Sequence, residues 1–427
     1  MSTPSDDLRA LLAPGSPPVP KRFRGGTHRS ISPEATVERM RPMFGMMGIT
    51  RMADITGLDR IGIPVVVVNR PNSRSLAVSQ GKGIDLAAAR ASAVMESIES
   101  WHAERIPTPV RLATFEELRW AHSVVDVDGL PFQTGSTFHP HLDLLWSEGW
   151  DLLGQRPTWV PYELVHTRYT LPLPTGSGCF LASSNGLASG NHLLEAVCHA
   201  VCEVIERDAT TMWHLLEPEA AAATRIDPTT VTDPDAREIL DRYEAADVDV
   251  AVWETTSEIG VPAFFCIITE REDHPFHVLH SAGGMGCHPA RRVALLRALT
   301  EAAQSRLTII AGSRDDVTRE DYDRVRSPDV IARDRALLAG SPNRPFGEGA
   351  DFDGDTLDDD LVWLLDRLKG AGITEVVALN LTWPSLRIPV VRVIIPGLEG
   401  ASMLDGWVPG ARATAARDRV TSRDSDR

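Results

Sequence analysis

Apolar positions along this chain fall into two periods. Short β-branched runs predict buried strands at residues 63–69, 248–254, 263–269, 376–381 and 390–395, with further strands at 76–79 and 276–281. Small apolar residues recurring at helical spacing predict long helices over about 85–102, 191–216 and 289–311. Shorter helices are predicted at 33–47, where Ser32 can cap and Pro33 can open the first turn, and at 361–369. The polar, Trp-rich stretch 114–169 predicts short strands and loops, and the acidic, Pro/Gly-rich stretch 341–360 predicts a long surface loop, either a mobile lid or disordered. Residues 1–29 are expected as a disordered tail, 30–413 as the folded domain, and 414–427 as a charged, disordered end. Helices alternating with strands predict an α/β or α+β architecture.

Within this pattern one design occurs three times: a glycine turn, an apolar helix of small residues, then acceptor side chains three apart. It reads Ser79-Gln-Gly-Lys-Gly83 before Glu96 and Glu99, Ser184-Asn-Gly186 before Glu203, Glu206 and Arg207, and Gly283-Gly-Met-Gly286 before Glu301 and Gln304. Recurrence of the unit predicts internal pseudosymmetry. Side chains at i and i+3 share a helical face, so three such helices can direct oxygens into one site. A lone pair of this kind is usually a solvated face. Here the acids sit among small apolar residues, and burying paired carboxylates is costly unless a cation intervenes. Magnesium resolves the conflict, because it takes a few carboxylates together with water and phosphate oxygens. Glu96, Glu99, Glu203 and Glu206 are therefore the candidate metal ligands. Arg207 can meet a phosphate or hold Glu203, and Gln304 can bond a nucleotide without adding charge.

Backbone N–H groups at glycine-led helix starts attract phosphate, and Lys82 can add a point charge there. Gly83 follows Lys82 where a Walker A loop requires Ser or Thr, so that motif is absent. Ser92, one turn before Glu96, either bonds a ligand or packs the helix. His199, one turn before Glu203, can hydrogen-bond it, whereas His139 and His141 lack a third ligand. The five cysteines have no zinc or redox spacing, and Cys198 and Cys202 are expected as packed small hydrophobes. No Ser-His-Asp or Cys-His arrangement is defined.

The formal charge of -16 disfavours nonspecific binding to nucleic acid or to anionic membrane, and no apolar run is long enough to span a bilayer. The start of the chain lacks a basic segment followed by an apolar one, so a cytoplasmic location is expected.

These segments resemble the YcaO family, ATP-dependent enzymes that activate backbone amides of ribosomally made peptides and proteins. The match runs from about Arg29 to Ala413 and rests on Ser92, Glu96 and Glu99, on the turn Ser184-Asn185-Gly186, on Glu203, Glu206 and Arg207, and on Gln304. The resemblance implies a YcaO-like fold with ATP and Mg2+ bound at those positions. Two positions depart from the family pattern: Ser100 stands where Arg usually follows the second Glu, and Thr308 stands where some members carry Arg, leaving Arg306 as a substitute. The proline-rich tail of azoline-forming members is absent.

Segments 32–38, 48–64 and 396–399 resemble the branch paired with a TfuA partner and associated with thioamide formation. That branch implies a precursor peptide or protein as substrate, a TfuA-like partner, a sulfur donor and a possible homodimer. Alternatives are azoline or macroamidine cyclodehydration, a noncatalytic ATP-binding scaffold that presents a peptide to a partner, and a generic small-molecule kinase.

Overall fold

Three antiparallel sheets form the frame, and each launches one long helix from an edge strand. The computed structural model describes every residue except 1–3, 12, 14, 273–279 and 426–427. In the first sheet Arg51–Asp54, Val65–Asn69 and Val78–Lys82 lie side by side, and the helix Leu86–Ala103 follows the last of them. The largest sheet runs Val110–Ala113, Leu144–Asp151, Val377–Asn380, Val390–Ile394, Leu187–Ser189, with Arg156–Pro161 also paired to Leu144–Asp151; the helix Leu193–His214 leaves its Leu187–Ser189 edge. The third sheet orders Ala282–Cys287, Ala263–Glu270 and Val248–Glu254, and the helix Arg291–Ala311 follows Ala282–Cys287. Every pairing within these three sheets is antiparallel, which makes the fold α+β. The strand expected at 276–281 falls largely on residues outside those described, and the observed strand begins at Ala282.

The repeated unit is thus strand then helix, and two of its three glycine segments are not turns. Gly81 lies inside Val78–Lys82, and Gly284 and Gly286 lie inside Ala282–Cys287. Their role is close approach. A methyl group at Gly81 would stand 2.0 Å from the Ala93 nitrogen, and one at Gly284 would stand 2.3 Å from both the Ala298 oxygen and the Ala302 nitrogen. Alternation places these glycines on the strand face that the helix covers, so the small-residue helices lie directly against the backbone. Only Ser184-Asn185-Gly186 is a true turn, with Gly186 at φ +78°.

Caps fix where the helices start. The Asp85 carboxylate accepts from the Ala88 N–H at 2.7 Å, and the Asp351 carboxylate accepts from the Arg291 N–H at 2.9 Å. The second bond comes from the stretch expected as a lid or disordered loop. That stretch is instead pinned, with Phe346 buried and Thr356 forming a capping box that starts the helix Leu357–Gly370 earlier than expected. The helix expected over 33–47 is interrupted by a 3-10 turn at Arg41–Met43, where Pro42 removes an N–H donor.

The tail expected at 1–29 is also packed. Leu8 is buried in the main core, Lys21 bonds Asp360 at 2.7 Å with both side chains buried, and the Val19 N–H donates to Asp358 at 2.7 Å. Basic residues of this segment find carboxylates more than three hundred positions away, which composition alone does not reveal. At the other end the helix Ala411–Ser425 covers residues expected as disordered, and Arg412 bonds the buried Asp208 at 2.9 Å.

Candidate functional site

The three strand-helix units turn their acceptor side chains into a single cavity of about 1700 Å³. Lys82, Ser92, Glu96, Glu99, Ser184, Asn185, Glu203, Glu206, Arg207 and Gln304 all line it. Each candidate residue from the sequence therefore reaches one space, although they come from three different sheets.

Its walls are tied together across units. Glu96 accepts from the Gln80 N–H at 3.3 Å, and Glu99 accepts from the Ser189 N–H at 2.8 Å and the Ser189 hydroxyl at 2.7 Å. The Gln304 side chain donates to the Gln80 carbonyl at 3.1 Å, while Glu301 accepts from the Met285 N–H at 3.2 Å and pairs with Lys82. Arg207 lies 3.5 Å from Glu206 and donates to the Met285 sulfur at 3.2 Å. His199 meets Arg297 rather than Glu203, and burial together with Arg297 holds its imidazole neutral.

The electrostatics are those of a site short of positive charge. Burial pushes the Glu99 carboxyl up to about 8, with Glu96 and Glu203 adding to the rise and Ser189 opposing it. Burial likewise raises Glu203 to about 7 against the pull of Arg207. Glu96 and Glu206 are also raised, first by burial, with Arg314 and Arg207 respectively opposing. Glu301 differs: burial pushes it up, but Lys82 and Arg207 overcome that and hold it down. The Asn185 Oδ1 and Gln304 Oε1 atoms are buried acceptors without a donor.

Strained carboxylates beside unsatisfied acceptors form a donor set that suits a hard cation with oxygen ligands such as Mg2+. Glu96, Glu99, Glu203 and Glu206 are the residues that could hold it, and Arg207, Lys82 and the Ser184-Asn185 turn could meet phosphate.

A different trio has the tightest grouping of potential ligands among the described residues: His28, His288 and Asp360, within 4.8 Å of one another. Its lone pairs are already committed. His28 Nε2 accepts from Arg292 at 2.9 Å, His288 Nδ1 accepts from the Ala290 N–H at 2.9 Å, and Asp360 holds Lys21. The buried Lys21 ammonium supplies the charge an ion would bring.

Arg306 does not take the place of the missing family arginine. It is fully buried, bonds Asp59 at 2.7 Å, pairs with Glu270, and does not line the cavity. Thr308 bonds Gln80 and the Gln304 carbonyl instead, and the Ser100 hydroxyl donates to the Glu96 carbonyl at 3.2 Å. Arg297 and Arg314, which the sequence places near Gln304, both line the cavity, and the cations that sequence reasoning left out are Arg29, also in the lining, and Arg392, buried near Glu203 with its guanidinium donating to the Ser183 carbonyl at 2.6 Å. Glu195, one helical turn before His199, was also missed; it accepts from the Ser30 N–H and hydroxyl at 3.0 and 2.9 Å. Only Glu301 carried a readable signal, as the partner of Gln304 in the repeated unit.

Residues 80–399 match the family described as YcaO cyclodehydratase, ATP- and Mg2+-binding. The chain belongs to the YcaO family. Its cofactors are accordingly ATP and Mg2+. This YcaO protein is 39% identical over 382 residues to an uncharacterized protein in the tfuA 3′ region of Rhizobium leguminosarum bv. trifolii, covering 87% of this chain and 88% of the relative. That relative agrees with the TfuA-associated branch which the sequence resembles. An uncharacterized protein of Methanothermobacter thermautotrophicus is 34% identical over 382 residues, covering 87% of this chain and 95% of its own.

Among solved structures, the fold is similar to YcaO from Methanopyrus kandleri bound with AMPPCP and Mg2+, at a TM-score of 0.67 and 21% identity over 89% of this chain and 95% of that one. It is also similar to a heterocyclase in complex with substrate and cofactor, at a TM-score of 0.75 and 22% identity over 92% of this chain; the YcaO protein spans 55% of that heterocyclase. At these identities both structures speak for the fold. No helix of the described residues is long and apolar enough to cross a membrane.

Proposed function

We propose that this YcaO protein activates a backbone amide of a peptide or protein by O-phosphorylation and delivers sulfur to it, forming a thioamide. The observation that carries the reading is the set of four carboxylates, the buried Glu206 and the half-buried Glu96, Glu99 and Glu203, facing one cavity beside Arg207. Together they suit a magnesium-bound triphosphate and little else that a neutral amide substrate would bring.

In this reading the amide oxygen attacks the γ-phosphorus of ATP, the β,γ-bridging bond breaks, and ADP leaves with the electron pair. Sulfide then adds to the activated carbon, and the C–O bond breaks as phosphate departs, leaving C=S. Mg2+ neutralises phosphate charge when bound. The protein's share is positioning: Arg207 and Lys82 meet phosphate oxygens, and the Ser184-Asn185 turn and Gln304 orient the nucleotide. Sulfur as the nucleophile is favoured by the relative in the tfuA 3′ region, and a TfuA-like partner and a sulfur donor belong to the same proposal. The family description itself favours a second reading, attack by a side chain or amine with loss of water.

Intact-mass measurement separates the two. Purified protein is incubated with ATP, Mg2+, sulfide and a candidate precursor peptide, with and without a TfuA-like protein. A gain of about 16 Da with ATP consumption is the expected sulfur-for-oxygen exchange. Loss of one water mass gives the reaction to cyclodehydration, and no ATP-dependent change under any condition removes amide activation.

A further inference from the structure

The cavity that holds the carboxylates is larger than one nucleotide site requires. Its volume of about 1700 Å³ exceeds the roughly 300–1,000 Å³ of a pocket for one drug-sized ligand. One stripe of the helix Leu193–His214 runs its length, since Glu195, His199, Glu203, Glu206 and Trp213 all line it. From Glu195 to Trp213 is 18 residues (213 − 195), or about 27 Å along the helix axis at roughly 1.5 Å per residue.

The two ends differ in chemistry. At the Glu195 end the segment 25–31 folds over the cavity, with no exposed residue in it. At the Trp213 end the wall is mostly apolar, with His214, Arg333 and Asp334 also lining it. Alternation along Ala263–Glu270 turns Phe265 and Ile267 away from the helix Arg291–Ala311, toward Trp213 and Met285. Across the strands Ile267 lies between the small residues Ala251 and Gly283, and the helix Pro328–Leu338 faces it across the arm through Val330 and Leu337. Leu337 and Leu404 form the rim, 44% and 42% exposed while also lining the cavity. Met285 joins the two regions, because its N–H bonds Glu301 and its sulfur meets Arg207.

We propose that this open apolar arm binds the substrate polypeptide, taking a large aliphatic or aromatic side chain that flanks the activated amide. The inference rests on the amide-activation reading above and assigns its acceptor a chemistry. A chain too long to be enclosed must enter through an open end, and the arm is continuous with the carboxylates, lined by the buried Trp213, Phe265, Ile267 and Met285 and rimmed by the exposed Leu337, Met403 and Leu404. The closed end, with the small residues Ala88 and Ala91 beside Ile84, is left for the nucleotide base.

The test needs no turnover. A capped Gly-Gly-X-Gly-Gly peptide with p-benzoylphenylalanine at X is photolysed on the full chain with Mg2+ and a nonhydrolysable ATP analogue, and adducts are mapped by mass spectrometry. The expected adducts lie on Met285 or at the 401–404 rim. They are suppressed by Gly-Gly-Phe-Gly-Gly but not by Gly-Gly-Asp-Gly-Gly, and they fall about tenfold in Leu337→Asp, a solvent-rim change, with nucleotide affinity within about twofold of the parent. Adducts confined to 25–37 or 84–95, equal competition by the Asp peptide, or a matching loss of nucleotide affinity in Leu337→Asp would each overturn the assignment. Arm labelling without any thioamide product counts against the sulfur reading alone, and turnover without arm labelling counts against this inference alone.

Discussion

Replacing Glu99 by Gln should make the metal-free protein more stable at alkaline pH while removing part of its response to nucleotide. In the fold the Glu99 carboxyl is raised from 4.5 to about 8, chiefly by burial. A raised acid contributes stability that is full below the unfolded value and is lost as pH climbs through the folded one, so the loss accrues between about 4.5 and 8. The difference of 3.5 units (8 − 4.5) at about 1.36 kcal/mol per unit sets a ceiling of about 5 kcal/mol. Glu99 lines an open cavity that admits water, and screening brings the expected effect to about 1–2 kcal/mol. Urea unfolding of metal-free wild type and Glu99→Gln should coincide near pH 5 and favour the variant by that amount near pH 9. Adding Mg2+ and a nonhydrolysable ATP analogue at about a hundred times Kd stabilises the wild type by about 2.7 kcal/mol and the variant by less, which narrows the variant's lead. Equal stability at both pH values would show that burial does not strain Glu99. Equal stabilisation by ligand would show that it is not a donor.

Further outcomes can be measured on single substitutions and one truncation. Gly284→Ala drives a methyl group into the backbone at Ala298 and Ala302 and should cost at least about 1–3 kcal/mol in denaturant; an unchanged unfolding midpoint would refute the close-approach role. Arg306→Met leaves Asp59 without its cation and Glu270 with Arg60 alone and should cost about 3 kcal/mol, with calorimetry showing unchanged nucleotide affinity in the folded fraction; a fall in affinity would return Arg306 to the site. Removing residues 1–29 strips Lys21 from Asp360 and Arg29 from Glu195, so both the urea midpoint and nucleotide affinity should drop. A truncated chain indistinguishable from the parent would restore the reading of that segment as a passive tail.

The acceptor residues were legible because their signal is local. Glu96 and Glu99, or Glu203 and Glu206, declare a shared face by spacing alone, and the small residues around them mark that face as buried. The glycines were legible as special but not as to why: a glycine before a helix reads equally as a turn or as a strand position with no room for a side chain. What decides it for Gly81 and Gly284 is the backbone of the following helix, at 2.0 and 2.3 Å from a hypothetical methyl. The N-terminal segment was misread for a different reason. Lys21 owes its order to Asp360, 339 residues later, and no local composition encodes a bond of that span. Arg306 looked available because nothing near it in sequence is acidic except Glu301, while its true partners come from residues 59 and 270.

The acceptor-bearing face has no scaffold of its own. Each acceptor pair sits on a helix that follows the edge strand of a different sheet, so the distances between pairs are set by how three sheets lean on one another rather than by the geometry inside any of them. A magnesium triphosphate spanning the pairs would act as a keystone, tightening units that already touch through Glu99 and Ser189, Gln304 and Gln80, and Lys82 and Glu301. Hydrogen exchange would register this as a merger: amides of the strands 78–82, 187–189 and 282–287 should open at separate rates in the metal-free protein and acquire a common opening rate when the nucleotide is held. Separate rates persisting under saturation would refute the coupling, and a common rate already present in the metal-free protein would mean that the sheets are locked together without the ligand.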